Sequence, residues 1–545
     1  MTSTDGSHDR SGGATPTSWS ADADDQRNLE AVARGGALNL VGAVVYGATQ
    51  FLLLAVVANG LGAERAGEFI TAIVVFNILA KVCELGGATG LVRTVSHRRA
   101  TGDVHELHAI AMVAVGGALA AGVVACGTLW VVAPGLAQLF ATGGDVDRIA
   151  SLLRSLAPFL PFAAAYSVVI QGTRGFDTMV PQVVIEKIAK SSAQVAAVLG
   201  VVVFGGDVRA ALLVWAGVQL LALVPAVVVG RRLMQLAESA GVGQRRRIDL
   251  GITRSFLAFS LPRSLGQVFQ VTILWFDTLL IAAILGTTEA GIYGTGTRYL
   301  LVGLFASEAI MQVLGPRISG LLARADRREA SRLLTTAAAW QTAVVWPVYL
   351  LVMTFPGALL GVFGEEFLAA RSALLFLSIA MLLASPFGPS DTVVLMSGRS
   401  RQSLFNTLVA VVVNVGGNLL FVPLYGIPAA AAVWGTTIVI AAVLPAWQSR
   451  RTLGVSPFGR GPLIAAVAAT AAYLPLALVA RVGFGDRLAA LGVAAAAATG
   501  AYVCILRRFG ADVQLEVLFR AIVRRPTRTV DGSWRRAGSS ADQTS

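Results

Sequence analysis

Charge is scarce in this chain. Of its 545 residues only 14% are Asp, Glu, Lys or Arg, against 55% hydrophobic, and the mean hydropathy is +0.70. That shortage excludes a soluble globular protein of this length. Lysine is nearly missing: Lys81, Lys187 and Lys190 are all there are, and arginine supplies the remaining cations behind a net charge of +12. These cations sit in short gaps between apolar runs, where cytoplasmic loops place them, so the basic balance does not point to a nucleic-acid partner. The three cysteines, Cys83, Cys126 and Cys504, fall inside apolar runs without metal-ligand spacing and read as small hydrophobes. His97, His105 and His108 share a polar loop that reads as solvated rather than metal-binding. Segments of alternating polarity about ten residues long are absent, which argues against a transmembrane barrel. Nucleotide-binding motifs, metal clusters and nucleophile triads are absent too. The sequence therefore calls for no cofactor, for no direct use of ATP by this chain, and against a membrane enzyme such as a saccharide polymerase or ligase.

Long apolar runs are what the chain has instead. Each is about 20 residues, enough to cross a hydrocarbon core about 30 Å thick, and in lipid such runs must be helices. The fold class expected is an all-α polytopic membrane protein of 14 helices. They fall near 36–60, 69–92, 108–133, 152–173, 180–204, 209–230, 254–285, 290–315, 333–361, 371–396, 402–424, 427–447, 462–482 and 487–506. One alternate set of gaps carries the arginines, among them Arg98/Arg99, Arg174, Arg231/Arg232, Arg327/Arg328 and Arg450/Arg451. The other set is short and nearly bare, with Arg65, Arg148, Arg209, Arg481 and Arg487 as scattered exceptions. This bias expects a multi-pass plasma-membrane protein with both termini cytoplasmic. The organisation expected is a disordered tail at 1–34, lacking the layout of a cleaved signal peptide. A six-helix bundle at 35–230, a cytoplasmic linker at 231–253 and a second bundle at 254–450 follow. Accessory helices at 451–508 and a basic tail at 509–545 complete the chain. Within that tail the amphipathic stretch 510–525 reads as an anchor or as a segment lying on anionic lipid.

A repeat ties the two bundles together. Leu61-Gly-Ala-Glu-Arg-Ala-Gly67 recurs as Leu285-Gly-Thr-Thr-Glu-Ala-Gly291, 224 residues later, and the same shift carries Glu84 onto Glu308 and Arg93 onto Arg317. A two-fold repeat in a membrane protein directs attention to the path between its halves. Polar residues inside the spans line up on faces, within arcs of roughly 80° at about 100° per residue. Asn39, Tyr46 and Gln50 share one stripe; Asn77, Lys81 and Glu84 another; Arg263, Gln267, Gln270 and Asp277 a third; Arg298, Glu308 and Gln312 a fourth. These faces read as a hydrated cavity with an excess of cations. Arg263 and Arg298 are its deepest charges, suited by their planar donor forks to a phosphate-bearing guest. Internal pairing is the competing reading: Arg263 with Asp277 or Glu308, Lys81 with Glu84, and Lys187 or Lys190 with Glu186. Glu84/Arg93 and Glu308/Arg317 fall near the inner mouth, as a gate or as a fixed contact, and Asp277 and the two glutamates are the candidates for ion coupling.

Three stretches, in order and spacing, resemble a known family. They are the twice-used motif followed by Glu84-Leu-Gly-Gly-Ala-Thr-Gly-Leu-Val-Arg93, the stretch Trp275-Phe-Asp-Thr-Leu-Leu-Ile-Ala282, and the run from Gly398-Arg-Ser-Arg-Gln402 through Asn418-Leu-Leu-Phe-Val-Pro-Leu-Tyr-Gly-Ile-Pro428 to Trp434. Over residues 35–508 the chain resembles the polysaccharide-exporter branch of the multidrug/oligosaccharidyl-lipid/polysaccharide flippase superfamily. The resemblance implies two six-helix bundles in a V around a central cavity plus two accessory helices. It also implies alternating-access flipping of a polyprenyl-pyrophosphate-linked oligosaccharide, with cationic cavity residues on the pyrophosphate. Membrane lipids and other polysaccharide-biosynthesis proteins are the expected partners, and a proton or sodium ion remains open as the driving ion. The alternative within the superfamily is a multidrug or small-molecule efflux transporter.

Overall fold

The computed structural model describes residues 18–101, 104–140, 146–176, 178–239, 250–300, 326–397 and 399–508, with isolated positions between 301 and 325. At residues 18–38 and most of 262–274 it describes the backbone alone. Every regular element among the described residues is helical. Eleven of these helices are long and apolar enough to cross a membrane, against the 14 spans expected. The others expected lie at 180–204, which is interrupted, and at 254–285 and 290–315, where the description is incomplete.

The first half contains α1 (Ser18–Leu61), α2 (Ala63–Cys83), α3 (Gly87–Thr101), α4 (Leu107–Phe140), α5 (Val146–Leu156), α6 (Leu160–Gly172), α7 (Ser191–Val203) and α8 (Val208–Ser239). Helix α1 starts at Ser18, well inside the segment expected to be disordered. Its first turns are rich in Ala, Asp, Arg and Leu, and they extend a helix already nucleated by the apolar span. At the other end α8 runs on to Ser239 and takes in the start of the expected linker. The basic stretch 510–525 lies outside the described residues.

The second half contains α9 (Leu250–Leu285), α10 (Thr287–Gly296), α11 (Arg327–Thr354), α12 (Pro356–Leu360), α13 (Arg371–Ala384), α14 (Ser390–Met396), α15 (Ser400–Tyr425) and α16 (Ile427–Gln448). Two further helices, α17 (Arg460–Phe484) and α18 (Leu488–Arg508), pack on each other and on α11. Their contact faces are alanine-rich, with Ala468, Ala469, Ala472 and Ala498 buried. In lipid the apolar environment is the same on either side of such a contact, so small residues that admit close backbones hold it. Tyr502 adds a hydrogen bond to the Ala343 carbonyl at 3.1 Å. Asp486 accepts from the backbone amides of Gly357 and Ala358 at 2.9 and 2.8 Å, satisfying the exposed start of α12.

Among the spans expected to be continuous that are broken, two turn on glycine or proline. The helix expected over 69–92 stops after Cys83, where Leu85 and Gly86 adopt φ of 50° and 70°, and resumes at Gly87. Left-handed backbone ends a helix, and Gly86 permits the close approach that follows: a Cβ there would lie 2.1 Å from the Ser260 carbonyl oxygen of α9. The helix expected over 371–396 breaks between α13 and α14, at Pro386 and Pro389. Two of the exceptional arginines have local partners. Arg148 pairs with the buried Glu68 at 3.3 Å, and Arg481 donates to the Thr354 carbonyl at 2.6 Å.

Helix α2 is central: 61% of its span is buried, against 22% for α8, α15 and α18. It packs on α10, its repeat counterpart, and on α9. Both copies of the repeated motif turn on a glycine, Gly62 at φ 83° and Gly286 at φ 102°. The last glycine of each copy meets the other across the seam. A Cβ on Gly67 would lie 1.8 Å from the Thr287 carbonyl oxygen, and one on Gly291 would lie 2.7 Å from Gly67. Beside them Phe51, Tyr299 and Phe363 stack edge to face, Asn59 donates to the Val362 carbonyl at 2.8 Å, and the Ala63 amide donates to Glu366 at 3.2 Å. The halves are therefore joined at this end. At the arginine-rich end Gly86, Gly90 and Phe256 bring α3 against α9.

Candidate functional site

Between these two contacts lies a polar cluster drawn from both halves. Lys187 and Lys190 stand on a π-helical segment, Gln182–Lys190, which interrupts the apolar run before α7. Such wide turns inside helices are frequent at functional positions. The Lys187 ammonium donates to Asn39 Oδ1 of α1 at 2.7 Å. The Lys190 ammonium sits 4.8 Å above the Tyr166 ring of α6. Next to Tyr166, the Ser167 hydroxyl donates to Glu84 Oε1 at 2.6 Å and receives a bond from Gln171 at 2.8 Å. Lys81 takes the other Glu84 oxygen at 2.7 Å, so a carboxylate only 3% exposed is satisfied on both sides. Asn77 is half-buried one turn away.

Arg298 brings the second half into this cluster. It follows α10, and its guanidinium lies 4.7 Å over the Trp275 ring of α9. Its Nε is buried without a hydrogen-bond partner, and no ion pair holds it among the described residues. Tyr46 of α1 lies between the halves, interacting electrostatically with both Glu186 and Arg298. One Glu186 oxygen is also buried and unpartnered. Among the described residues the cluster thus holds four cations, Lys81, Lys187, Lys190 and Arg298, against two carboxylates, Glu84 and Glu186. Cations stacked on aromatic faces keep their charge available to a guest while losing some of the water that would compete for it.

A second polar pocket lies within the second half. Asp277, 3% exposed, accepts from the amides of Asn418 at 2.9 Å and Asn414 at 3.3 Å on α15. Tyr293 of α10 also faces it. The remaining amide oxygens of both asparagines are buried and unpartnered. No cation is near enough for an ion pair with Asp277 among the described residues.

The structure brings Lys81, Glu84, Asn77 and Arg298 to one region and sets Asp277 apart. Arg93 is exposed on α3, more than two turns from Glu84, whose partners are Lys81 and Ser167. The side chains of Arg263, Gln267 and Gln270, and residues Glu308, Gln312 and Arg317, lie outside the described residues. Sequence reasoning left out the aromatic platforms Tyr166 and Trp275, and the asparagine pair. The pair was visible as Asn-x-x-x-Asn at helical spacing in an apolar run. The platforms carried no local signal, because each belongs to a different helix from the cation it meets.

These features define a multi-pass helical membrane protein built from two related halves around a polar seam. The chain belongs to the polysaccharide biosynthesis protein family, whose model matches residues 32–322. It is 24% identical over 200 residues to a probable low-salt glycan biosynthesis flippase, Agl15, of Haloferax volcanii. The match covers 35% of this chain and 40% of that protein, so the chain spans about two fifths of this relative's length. Its fold is like that of the lipid II flippase MurJ in an inward closed conformation, with TM-score 0.68 and 11% identity over 87% of this chain and 99% of that one. It is also like an inward-facing multidrug resistance MATE family transporter of the MOP superfamily, with TM-score 0.59 and 16% identity over 76% and 94%.

Proposed function

We propose that this protein turns a polyprenyl-pyrophosphate-linked oligosaccharide from the inner to the outer leaflet of the plasma membrane by alternating access, for cell-surface polysaccharide biosynthesis. Both termini face the cytoplasm in this reading, with the arginine-rich loops. Arg298 carries it: a guanidinium deep in the seam, held over Trp275 and without a carboxylate partner among the described residues, is suited to a pyrophosphate. Lys187 and Lys190 add charge from the opposite half. Family membership and the printed functions of Agl15 and MurJ support the substrate class.

Efflux of cationic drugs is the second reading, favoured by the MATE likeness and by the unpartnered Glu186 oxygen. The excess of cations among the described residues of the cluster weighs against it. In proteoliposomes carrying a fluorescent polyprenyl-pyrophosphate saccharide, Arg298→Ala is expected to slow flipping by about ten- to a hundredfold, the value of one charged hydrogen-bonding contact. Arg298→Lys should recover part of the rate. An Ala variant that inserts normally and flips at the wild-type rate would sink the charge-based mechanism.

A further inference from the structure

Away from the seam, the arginine-rich ends of α11 and α17 frame a groove of 630 Å³. Arg327, Arg328 and Arg332 line it from the first turns of α11, and Arg460 from the first turn of α17. The groove is built rather than incidental. Asp326 caps α11 by accepting from the Glu329 amide at 3.0 Å, which fixes the turn that carries the three arginines. The loop after α16 is tied across that turn: Thr335 donates to the Ser456 carbonyl at 3.2 Å, and the Ser456 amide donates to Ser331 at 3.4 Å. Gly459 approaches so closely that a Cβ there would lie 2.4 Å from Thr335.

The charge in this groove is unbalanced. Glu329 engages Arg332 at 3.5 Å with both side chains more than half exposed. Arg327, Arg328 and Arg460 have no carboxylate within ion-pairing distance among the described residues. Like charges gathered in this way repel, and an anion with several oxygens relieves the repulsion.

What continues below the arginines selects the anion. One and two turns beyond Arg460, on the same face of α17, Leu463 is 65% and Val467 59% exposed. At 1.5 Å per residue, Val467 lies about 10 Å deeper than Arg460, in the hydrocarbon. At the level of the arginines, the exposed Phe458 and Trp447 rings carry Arg450 and Arg451 at 5.6 and 5.1 Å, the placement of aromatic anchors at a headgroup layer. A ligand with a phosphate at one end and acyl chains at the other matches both parts. We infer that this groove is a binding site for an anionic phospholipid of the arginine-rich leaflet, with its phosphate on Arg327, Arg328 and Arg460 and its chains along the exposed face of α17. Such a lipid would bridge the second bundle and the accessory pair, outside the transport path.

Native mass spectrometry of the delipidated full chain, titrated with phosphatidylglycerol or phosphatidylcholine, tests this. Wild type is expected to prefer phosphatidylglycerol. The double variant Arg328→Ala/Arg460→Ala should bind it about tenfold or more weakly, and Arg507→Ala/Arg508→Ala, equally basic but outside the groove, should bind as wild type does. Unchanged thermal stability without lipid would show that the groove variant is folded. Equal phosphatidylglycerol binding by wild type and groove variant, or no preference over phosphatidylcholine, overturns the inference. Displacement of the lipid by glycerol 3-phosphate would assign the site to a free phosphate ester instead. Displacement by undecaprenyl phosphate at lower concentration than by phospholipid would assign it to the transport substrate.

Discussion

Asp277 and its two asparagines show what one residue can decide in this protein. A carboxylate in the membrane interior is costly unless its lone pairs are met, and here two amides on one face of α15 meet them. The same side chains leave two amide oxygens buried without a hydrogen-bond partner among the described residues. We propose that flipping is driven by an ion gradient and that Asp277 is the residue that couples them. Asp277→Asn is expected to leave substrate binding intact and to abolish the dependence of flipping on a sodium or proton gradient; an unchanged gradient dependence would remove Asp277 from the mechanism. Asn418→Leu removes the shorter bond and leaves the carboxylate buried. It should destabilise the protein by about 1–3 kcal/mol, seen as a lower Tm in detergent. Sequence showed Asp277 as an intramembrane charge but not its partners, which lie 137 and 141 positions away. The same limit applied to Arg298, whose depth was readable while its Trp275 platform was not.

At the scale of elements, the repeated motif explains its own glycines. Gly62 and Gly286 take backbone angles that side chains resist, and Gly67 and Gly291 let α2 and α10 touch through their backbones. Gly67→Val should force the helices apart at the end away from the arginines. A cysteine placed at Asn59 should then react with a membrane-impermeant maleimide at least about tenfold faster, since any added Cβ collides with backbone rather than with a movable side chain. Gly127→Ala, where a Cβ meets open space, is the control. Unaltered labelling in Gly67→Val would mean that this contact does not hold the end closed. The helix breaks at Leu85–Gly86 and at Pro386–Pro389 were visible as Gly and Pro in apolar runs. The π-helical segment at 182–190 was not, because its residues are ordinary helix and strand formers and only its hydrogen-bonding pattern sets it apart.

At the scale of the whole molecule, the described residues of the two halves touch at both ends of the seam, and the proposed alternating access requires each contact to open in turn. The Asn59–Val362 contact spans the halves at one end. In a background with Cys83, Cys126 and Cys504 replaced, the pair Asn59→Cys and Val362→Cys is expected to cross-link under oxidation and stop flipping, with activity returning on reduction. Full flipping by the cross-linked protein would show that this end never opens. The sequence by itself determined the membrane class, the helical composition, the two related halves and the identity of most buried charges. All of these follow from local hydropathy and from comparing the chain with itself. Only the tertiary structure decided which charges are neutralised and which are left for a guest. Lys81 meets Glu84 three residues on, but Lys187 meets Asn39, Arg298 meets Trp275, and the two motif copies meet each other. Each of these depends on how helices distant in sequence are placed side by side, and hydrophobic periodicity gives the face a helix buries without naming the helix it is buried against.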